Sequence, residues 1–308
     1  MLSDLVEELE YLRRPLEATS GFKTPSGLTP AIAEDHRPTG LVAQRMLVAA
    51  RQFSLQGTKT QGTEIQGAET QGINTQGTNT QGTETDVSTD PDAVQERVFV
   101  TPMIAVAGSV ADHVLKAMRR GRSLRRAYVN NGGDIALWLA DGERFTVGIC
   151  NNIDNANIDS TVELQARHKL GGIATSGWRG RSHSLGIADA VTVLAACAAD
   201  ADAAATLIAN AVDLPESACI QRQPASALSP DSDLGNRLVT VAVGPLGEQQ
   251  VTMALERGRQ YAQGLIAEGL IAAAYISLQN KVVVCKDAAL EQLTDLTPLT
   301  RTAGAMHA

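Results

Sequence analysis

Between Gly171 and Thr206 the chain reads GGIATSGWRGRSHSLGIADAVTVLAACAADADAAAT, and within it lie the residue types that phosphate and metal chemistry need. Thr175, Ser176, Arg179 and Arg181 are interleaved with Gly172, Gly177 and Gly180. Successive backbone amides in a glycine-rich loop can form an anion nest, and arginine can grip a phosphate with two parallel hydrogen bonds. Asp202 and Thr206 follow at i,i+4 spacing, which on a helix sets a carboxylate and a hydroxyl on one face. Both are oxygen ligands suited to a hard cation. A phosphate-bearing ligand with a divalent metal is the chemistry this set fits, although the pattern is neither a Walker loop nor a dinucleotide fingerprint. The structural alternatives are a polar loop with solvated arginines, and acids placed near a helix start by capping and the helix dipole. Capping accounts for Asp200 but leaves Thr206 unexplained.

A second candidate is Asn130-Asn131-Gly132-Gly133-Asp134. Asn-Gly between apolar runs is a strong hairpin signal. The same residues also suit a ligand site, where two glycines let backbone amides come close and Asn131 and Asp134 orient what binds. His183 and Asp189 flank the intervening turn and are the catalytic candidates the sequence offers, against a plain reading of both as loop residues.

The elements that must position these groups follow from hydrophobic spacing. Leu2–Leu16 and Gly40–Phe53 have helical periodicity, with Ser20–Gly40 as loop. From Gln56 to Thr85 the five-residue units QGTKT, QGTEI, QGAET, QGINT, QGTNT and QGTET follow one another. A pentapeptide solenoid needs a large apolar residue in each unit to fill its axis, and these units mostly offer Thr. The tract therefore reads as a disordered insert. Met103–Met118 predicts a helix, and Arg126–Val129, Ile135–Leu139 and Arg144–Cys150 predict a meander. Ser160–Ala166, Gly172–Thr175 and Asp189–Ala195 read as strands and Ala199–Val212 as an Ala-rich helix. Arg237–Val243 reads as strand, Glu248–Gly264 as helix, and Ile271–Leu278 with Lys281–Cys285 as a closing hairpin. Helices mixed with mostly antiparallel strands predict an α+β class. The organisation is an N-terminal helical segment (1–53), a low-complexity insert (54–96), an α+β core (97–286) and a loosely ordered tail (287–308).

Composition narrows the function. The chain has 308 residues, a net charge of −8 and 3% aromatics, so the core must be built from Ala, Val, Leu and Ile. That charge argues against nucleic acid as a partner, and the cluster Arg119, Arg120, Arg122, Arg125 and Arg126 reads as a local, solvated helix end. Cys150, Cys197, Cys219 and Cys285 form no CxxC pair, which argues against zinc or a disulfide framework. The acidic start MLSDLVEELEYLRRPL lacks the apolar stretch of a signal peptide, and no run is long enough for a membrane span. A soluble, cytoplasmic protein with no membrane partner is expected, with a homo-oligomer left open.

Taken in order, several blocks resemble uncharacterised protein family 0280, a branch of the ApbE-like (FAD:protein FMN transferase) superfamily. They are TPMIAVAGSVAD (Thr101–Asp112), VNNGGDIAL (Val129–Leu137), FTVGI (Phe145–Ile149), GGIATSGWRGRSHSLGIADAVTVLA (Gly171–Ala195) and ADAAATLIANAV (Ala201–Val212). The likeness extends through PDSDLGNRLVTVAVGPL and GLIAAAYISLQ, and to DLVEELEYLRRPL near the start. The resemblance implies an ApbE-like α+β fold, a mixed, mostly antiparallel sheet packed with helices, lacking part of its N-terminal section. It implies Mg²⁺ and FAD as cofactors, and transfer of FMN to a Thr or Ser of an acceptor protein. Under it, Asp202 and Thr206 look like metal ligands. Asn131, Gly132, Gly133 and Asp134, with Thr175, Ser176, Gly177, Arg179 and Arg181, look like the flavin-nucleotide site. The Ala-Lys-Gly-Tyr motif of ApbE enzymes is replaced by Val106-Ala107-Gly108-Ser109, and their His-Ile-Ile-Asp-Pro motif is reduced to His183-Ser-Leu-Gly-Ile. A non-catalytic flavin- or nucleotide-binding protein, or a truncated inactive member, therefore stands beside the transferase.

Overall fold

Two glycines set the first hairpin. Strands β1 (Arg126–Asn131) and β2 (Asp134–Leu139) pair in register down to Asn131↔Asp134, so only Gly132 and Gly133 form the turn. Their φ values of 73° and 117° lie in the region that glycine enters without strain. The computed structural model describes residues 12–13, 40–54, 99–149, 160–290 and 297–298. The repeat tract and nearly all of the Leu2–Leu16 helix lie outside these residues. Leu12 is described and is buried against Ala43 and Met46 of α1 (Leu41–Ser54).

A short 3-10 turn, Pro102–Ala105, leads into α2 (Val106–Arg119), with the Thr101 hydroxyl accepting from the Met103 N–H at 3.2 Å. Strands β3 (Arg144–Ile149), β4 (Ser160–Gln165), β5 (Gly172–Ser176) and β6 (Ala190–Ala195) precede α3 (Ala198–Ala211). Then follow β7 (Ile220–Pro224), the single turn α4 (Ala225–Leu228), β8 (Leu238–Val243) and α5 (Glu248–Ala267). The hairpin of β9 (Ala273–Leu278) and β10 (Lys281–Lys286) comes next, and β11 (Thr297–Pro298) pairs with β4. Part of the span expected to be a loose tail thus joins a sheet. Among the described residues, no helix is long and apolar enough to cross a membrane.

The architecture is α+β, with antiparallel pairing throughout. Six strands run in the order β1-β2-β5-β6-β9-β10, while β11-β4-β3 and β7-β8 form smaller sheets. Every residue of the central strand β6 is buried, with helices over one face of the large sheet and the small sheet over part of the other. On one face Val191, Val193, Ala274 and Ile276 pack with the apolar residues of α3 and α5. On the other, Ile173, Leu194 and Ala273 meet Val162 and Leu164 of β4.

With few aromatics available, the core gains density by bringing backbones together. Nine residues of α3 are buried, seven of them alanine. A Cβ added to Gly172 would lie 2.1 Å from the Cys197 carbonyl carbon, and one added to Gly108 2.2 Å from the Ala198 carbonyl oxygen. Backbone atoms cannot step aside as a side-chain end can, so Gly172→Ala is expected to destabilise the chain by about 2–3 kcal/mol. Urea unfolding measures it, and an unchanged midpoint would refute this packing account.

Candidate functional site

The ladder between β2 and β5 holds for only two pairs, Ile135↔Ile173 and Ala136↔Gly172. Beyond it a side chain takes over from the backbone, since the Thr175 N–H donates to the Asp134 carboxyl. A cavity of about 680 Å³ lies where the ladder ends, within the roughly 300–1,000 Å³ of small-molecule sites. Ile135, Val147, Ile149, Val162, Ile173 and Leu194 form apolar walls between the large and small sheets. Asp134, Thr175, Ser176, Gly177, Arg179, Arg181, Asp202 and Thr206 supply the polar end.

Asp202 sits five residues into α3, yet it does not cap its own helix. Its carboxylate accepts the Gly108 N–H at 3.0 Å and a bond from Ala107, closing the N-terminus of α2, whose first turn contains no acid. Asp112 of α2 returns the arrangement. It accepts from the Ala198 and Ala199 N–H groups at the start of α3, at 3.2 and 3.1 Å, and from Arg45 of α1 at 2.9 Å. The two helices meet start to start, each supplying the carboxylate that satisfies the other's free amides. The capping alternative considered from sequence is therefore realised, but for a different helix. It holds Asp202 at a fixed place on the cavity wall, one turn before Thr206.

Burial pushes the Asp202 carboxyl well above the usual carboxylate range, and the nearby Asp134 pushes it further, against the two backbone N–H groups that favour the charge. Burial raises Asp134 to about 6, with the Thr175 N–H pulling the other way. Two buried carboxyls in one cavity favour either a proton or a cation between them.

The Thr175–Arg181 loop is pinned by Asp189. One carboxylate oxygen accepts from the Trp178 indole at 3.1 Å and the Arg179 Nε at 3.0 Å, while the other accepts the Gln279 N–H at 2.6 Å. Gly177 passes so close that an added Cβ would lie 2.5 Å from the Asp189 carbonyl oxygen. Inside the cavity the Thr175 and Thr192 hydroxyls hydrogen-bond each other at 2.8 Å. Asp189→Ala leaves three donors without their charged acceptor and is expected to destabilise the chain by about 2–4 kcal/mol. It should also expose Trp178 to acrylamide quenching, measured with Trp138→Phe as background; unchanged quenching would show that Asp189 does not fix the loop.

Of the residues singled out from sequence, the structure gathers Gly132, Gly133, Asp134, Thr175, Ser176, Gly177, Arg179, Arg181, Asp202 and Thr206 around one cavity. Asn131 lies just outside it and ties the hairpin to α2 by donating to the Ala107 carbonyl at 3.1 Å. His183 is apart, 3.2 Å from the Ser229 hydroxyl, and Asp189 is behind the loop it organises. Added Cβ atoms at Gly132 and Gly133 would meet nothing within 4 Å, so their need for glycine is conformational. Tyr275, Thr192 and the apolar walls were not foreseen. Alternation along β5, β6 and β9 places these residues on one face, but sequence does not say that this face is partly uncovered.

A family model described as "AbpE bacteria" matches residues 80–284, which include the whole of this site. A UPF0280 protein of Methanothermobacter thermautotrophicus is 38% identical over 119 residues, 38% of this chain and 44% of its own length. One from Methanopyrus kandleri is 37% identical over 146 residues, covering 47% of this chain and 55% of its own. One from Methanococcus vannielii is 39% identical over 127 residues, covering 40% and 50%. The chain thus spans about half the length of the curated relatives it matches. With more than half of its residues matched, a span that takes in α2, the β1–β2 hairpin and α3 and ends in β10, the chain belongs to the AbpE bacteria family.

Proposed function

We propose that the cavity binds a flavin nucleotide together with Mg²⁺, and that the chain transfers the FMN part of FAD to a Thr or Ser of an acceptor protein. The observation that carries this reading is the convergence of the β1–β2 hairpin, the Thr175–Arg181 loop and the Asp202/Thr206 pair on one cavity. The apolar slot between the sheets suits a flat ring system, and the polar end suits its phosphates.

The donor set fits the metal. Asp202, Asp134 and the Thr206 hydroxyl are hard oxygen ligands, and Mg²⁺ is ordinarily held by one or two carboxylates with waters and substrate phosphates completing its shell. Among the described residues no group of three or more His, Cys, Asp or Glu forms a metal cage, so a cation here depends on the nucleotide as well. When bound, Mg²⁺ supplies positive charge across the pyrophosphate oxygens. Arg181, at the cavity mouth, and the amides around Gly177 would add donors for charge that develops there.

In the reaction, the acceptor's hydroxyl oxygen bonds to the flavin-side phosphorus and the bond from that phosphorus to the bridging oxygen breaks. AMP leaves with that oxygen, and the hydroxyl proton passes to a carboxylate. A second reading, a non-catalytic flavin holder, is favoured by the engagement of Asp189 in pinning the loop and by His183 lying off the cavity. Incubation with FAD and Mg²⁺ followed by mass spectrometry separates them. Transfer predicts AMP released in step with a flavinylated Ser or Thr; bound FAD with no AMP identifies a holder, and no FAD binding rejects both.

A further inference from the structure

Strand β1 is an edge of the large sheet, and its outer side is built differently from the other edge. The Ala140 N–H donates to the Arg125 carbonyl, which fixes the ladder so that Ala127, Val129 and Asn131 exchange hydrogen bonds with β2. By the alternation of an antiparallel ladder, the N–H and C=O groups of Arg126, Tyr128 and Asn130 face outward. Among the described residues no strand pairs with them. Their side chains are exposed too, with Tyr128 61% exposed and packed edge-on against Phe145 at 6.0 Å between ring centres.

This row runs straight to the cavity, because Asn130 is both its last member and part of the cavity lining. Its far end is basic. The side chains of Arg125, Arg126 and Arg144 are 85%, 56% and 71% exposed, answered there by Glu143 and Glu163. Three guanidiniums against two carboxylates leave this end of the edge with an excess of positive charge in a chain of net charge −8. At the opposite edge no residue of β10 lines the cavity.

We propose that the β1 edge docks an extended acidic segment of the acceptor protein. The segment adds to the sheet through backbone hydrogen bonds, packs on Tyr128, sets its acids against Arg126 and its neighbours, and delivers a Ser or Thr at the Asn130–Asp134 hairpin. This rests on the acceptor-modifying reading of the cavity. Unpaired strand amides beside an exposed aromatic suit a peptide better than a nucleic acid or a lipid surface, which would use the arginines alone.

The test uses the full chain and a fluorescein-labelled peptide of alternating Asp and Thr, followed by anisotropy, with a Lys/Thr peptide as control. Tyr128→Ala removes the aromatic contact. Tyr128→Pro removes in addition the outward N–H, which the β1–β2 ladder does not use and which an edge strand can lose. The expected result is saturable binding of the Asp/Thr peptide only, at least tenfold weaker in Tyr128→Pro than in Tyr128→Ala and weakened also by Arg126→Glu. Thermal midpoints and FAD titrations of the same variants confirm that they are folded with the cavity intact. Equal binding by the Pro and Ala variants would overturn the proposal. So would equal binding of the Lys/Thr peptide, or capture of phosphatidylserine vesicles without the Asp/Thr peptide. FAD binding without this peptide pattern defeats the docking edge alone; the peptide pattern without FAD binding defeats the flavin reading alone.

Discussion

Asp202→Asn is expected to weaken Mg²⁺-dependent FAD binding by well over tenfold while the chain stays folded. The asparagine carbonyl can still accept the Gly108 N–H, so the start of α2 keeps a cap and stability stays within about 1 kcal/mol of the parent. Mg²⁺ held here would lose one of its carboxylate ligands in the same change. Nucleotide titrations with and without Mg²⁺ on both proteins separate these roles. If Asp202 serves only as a cap, all four affinities will agree.

Asp134→Asn should act in opposite directions on the empty and the loaded protein. The folded-state pKa of Asp134, about 6, is above its ordinary value of 3.8. A carboxyl raised in this way opposes folding when it must ionise in the native state. The cost is absent below pH 3.8, grows between 3.8 and 6, and is complete above 6. Removing the charge should therefore raise the thermal midpoint of the empty protein at pH 8, with the gain fading as the pH approaches 4. The rise in midpoint that Mg²⁺ with ADP gives the parent should be lost in the variant, because a ligand stabilises only as far as it binds the native state. A variant less stable than the parent at pH 8 without metal would show that Asp134 holds the hairpin rather than straining it.

Local signals carried much of the fold. The Gly132-Gly133 turn, the apolar β6 and the alanine pattern of α3 each announce themselves within a few residues, and their observed limits fall within two residues of those expected. Strand β7, with the sequence IQRQP, was not foreseen, because it has no alternation of its own and exists by pairing with β8. The helix expected from Met103 divides into a 3-10 turn, which Thr101 caps and Pro102 opens, and α2. The site was legible as a list of residue types, but three-dimensional facts decide their roles. That Asp202 caps α2, that Asp112 returns the favour, and that Asp189 grips Trp178, Arg179 and Gln279 all depend on partners 10 to 94 positions away in the chain. The opening beside the β2–β5 ladder is likewise a matter of where pairing stops, which no residue states alone.

In the proposed reading, one cavity holds a flavin nucleotide through a divalent cation on Asp202 and Thr206. Calorimetric titration of the full chain with FAD at pH 8, with Mg²⁺ and then with the metal chelated, tests it most directly. Saturable binding at one site per chain is expected with Mg²⁺, with at least a tenfold loss of affinity without it. No heat of binding in either case, or equal affinity in both, would contradict it.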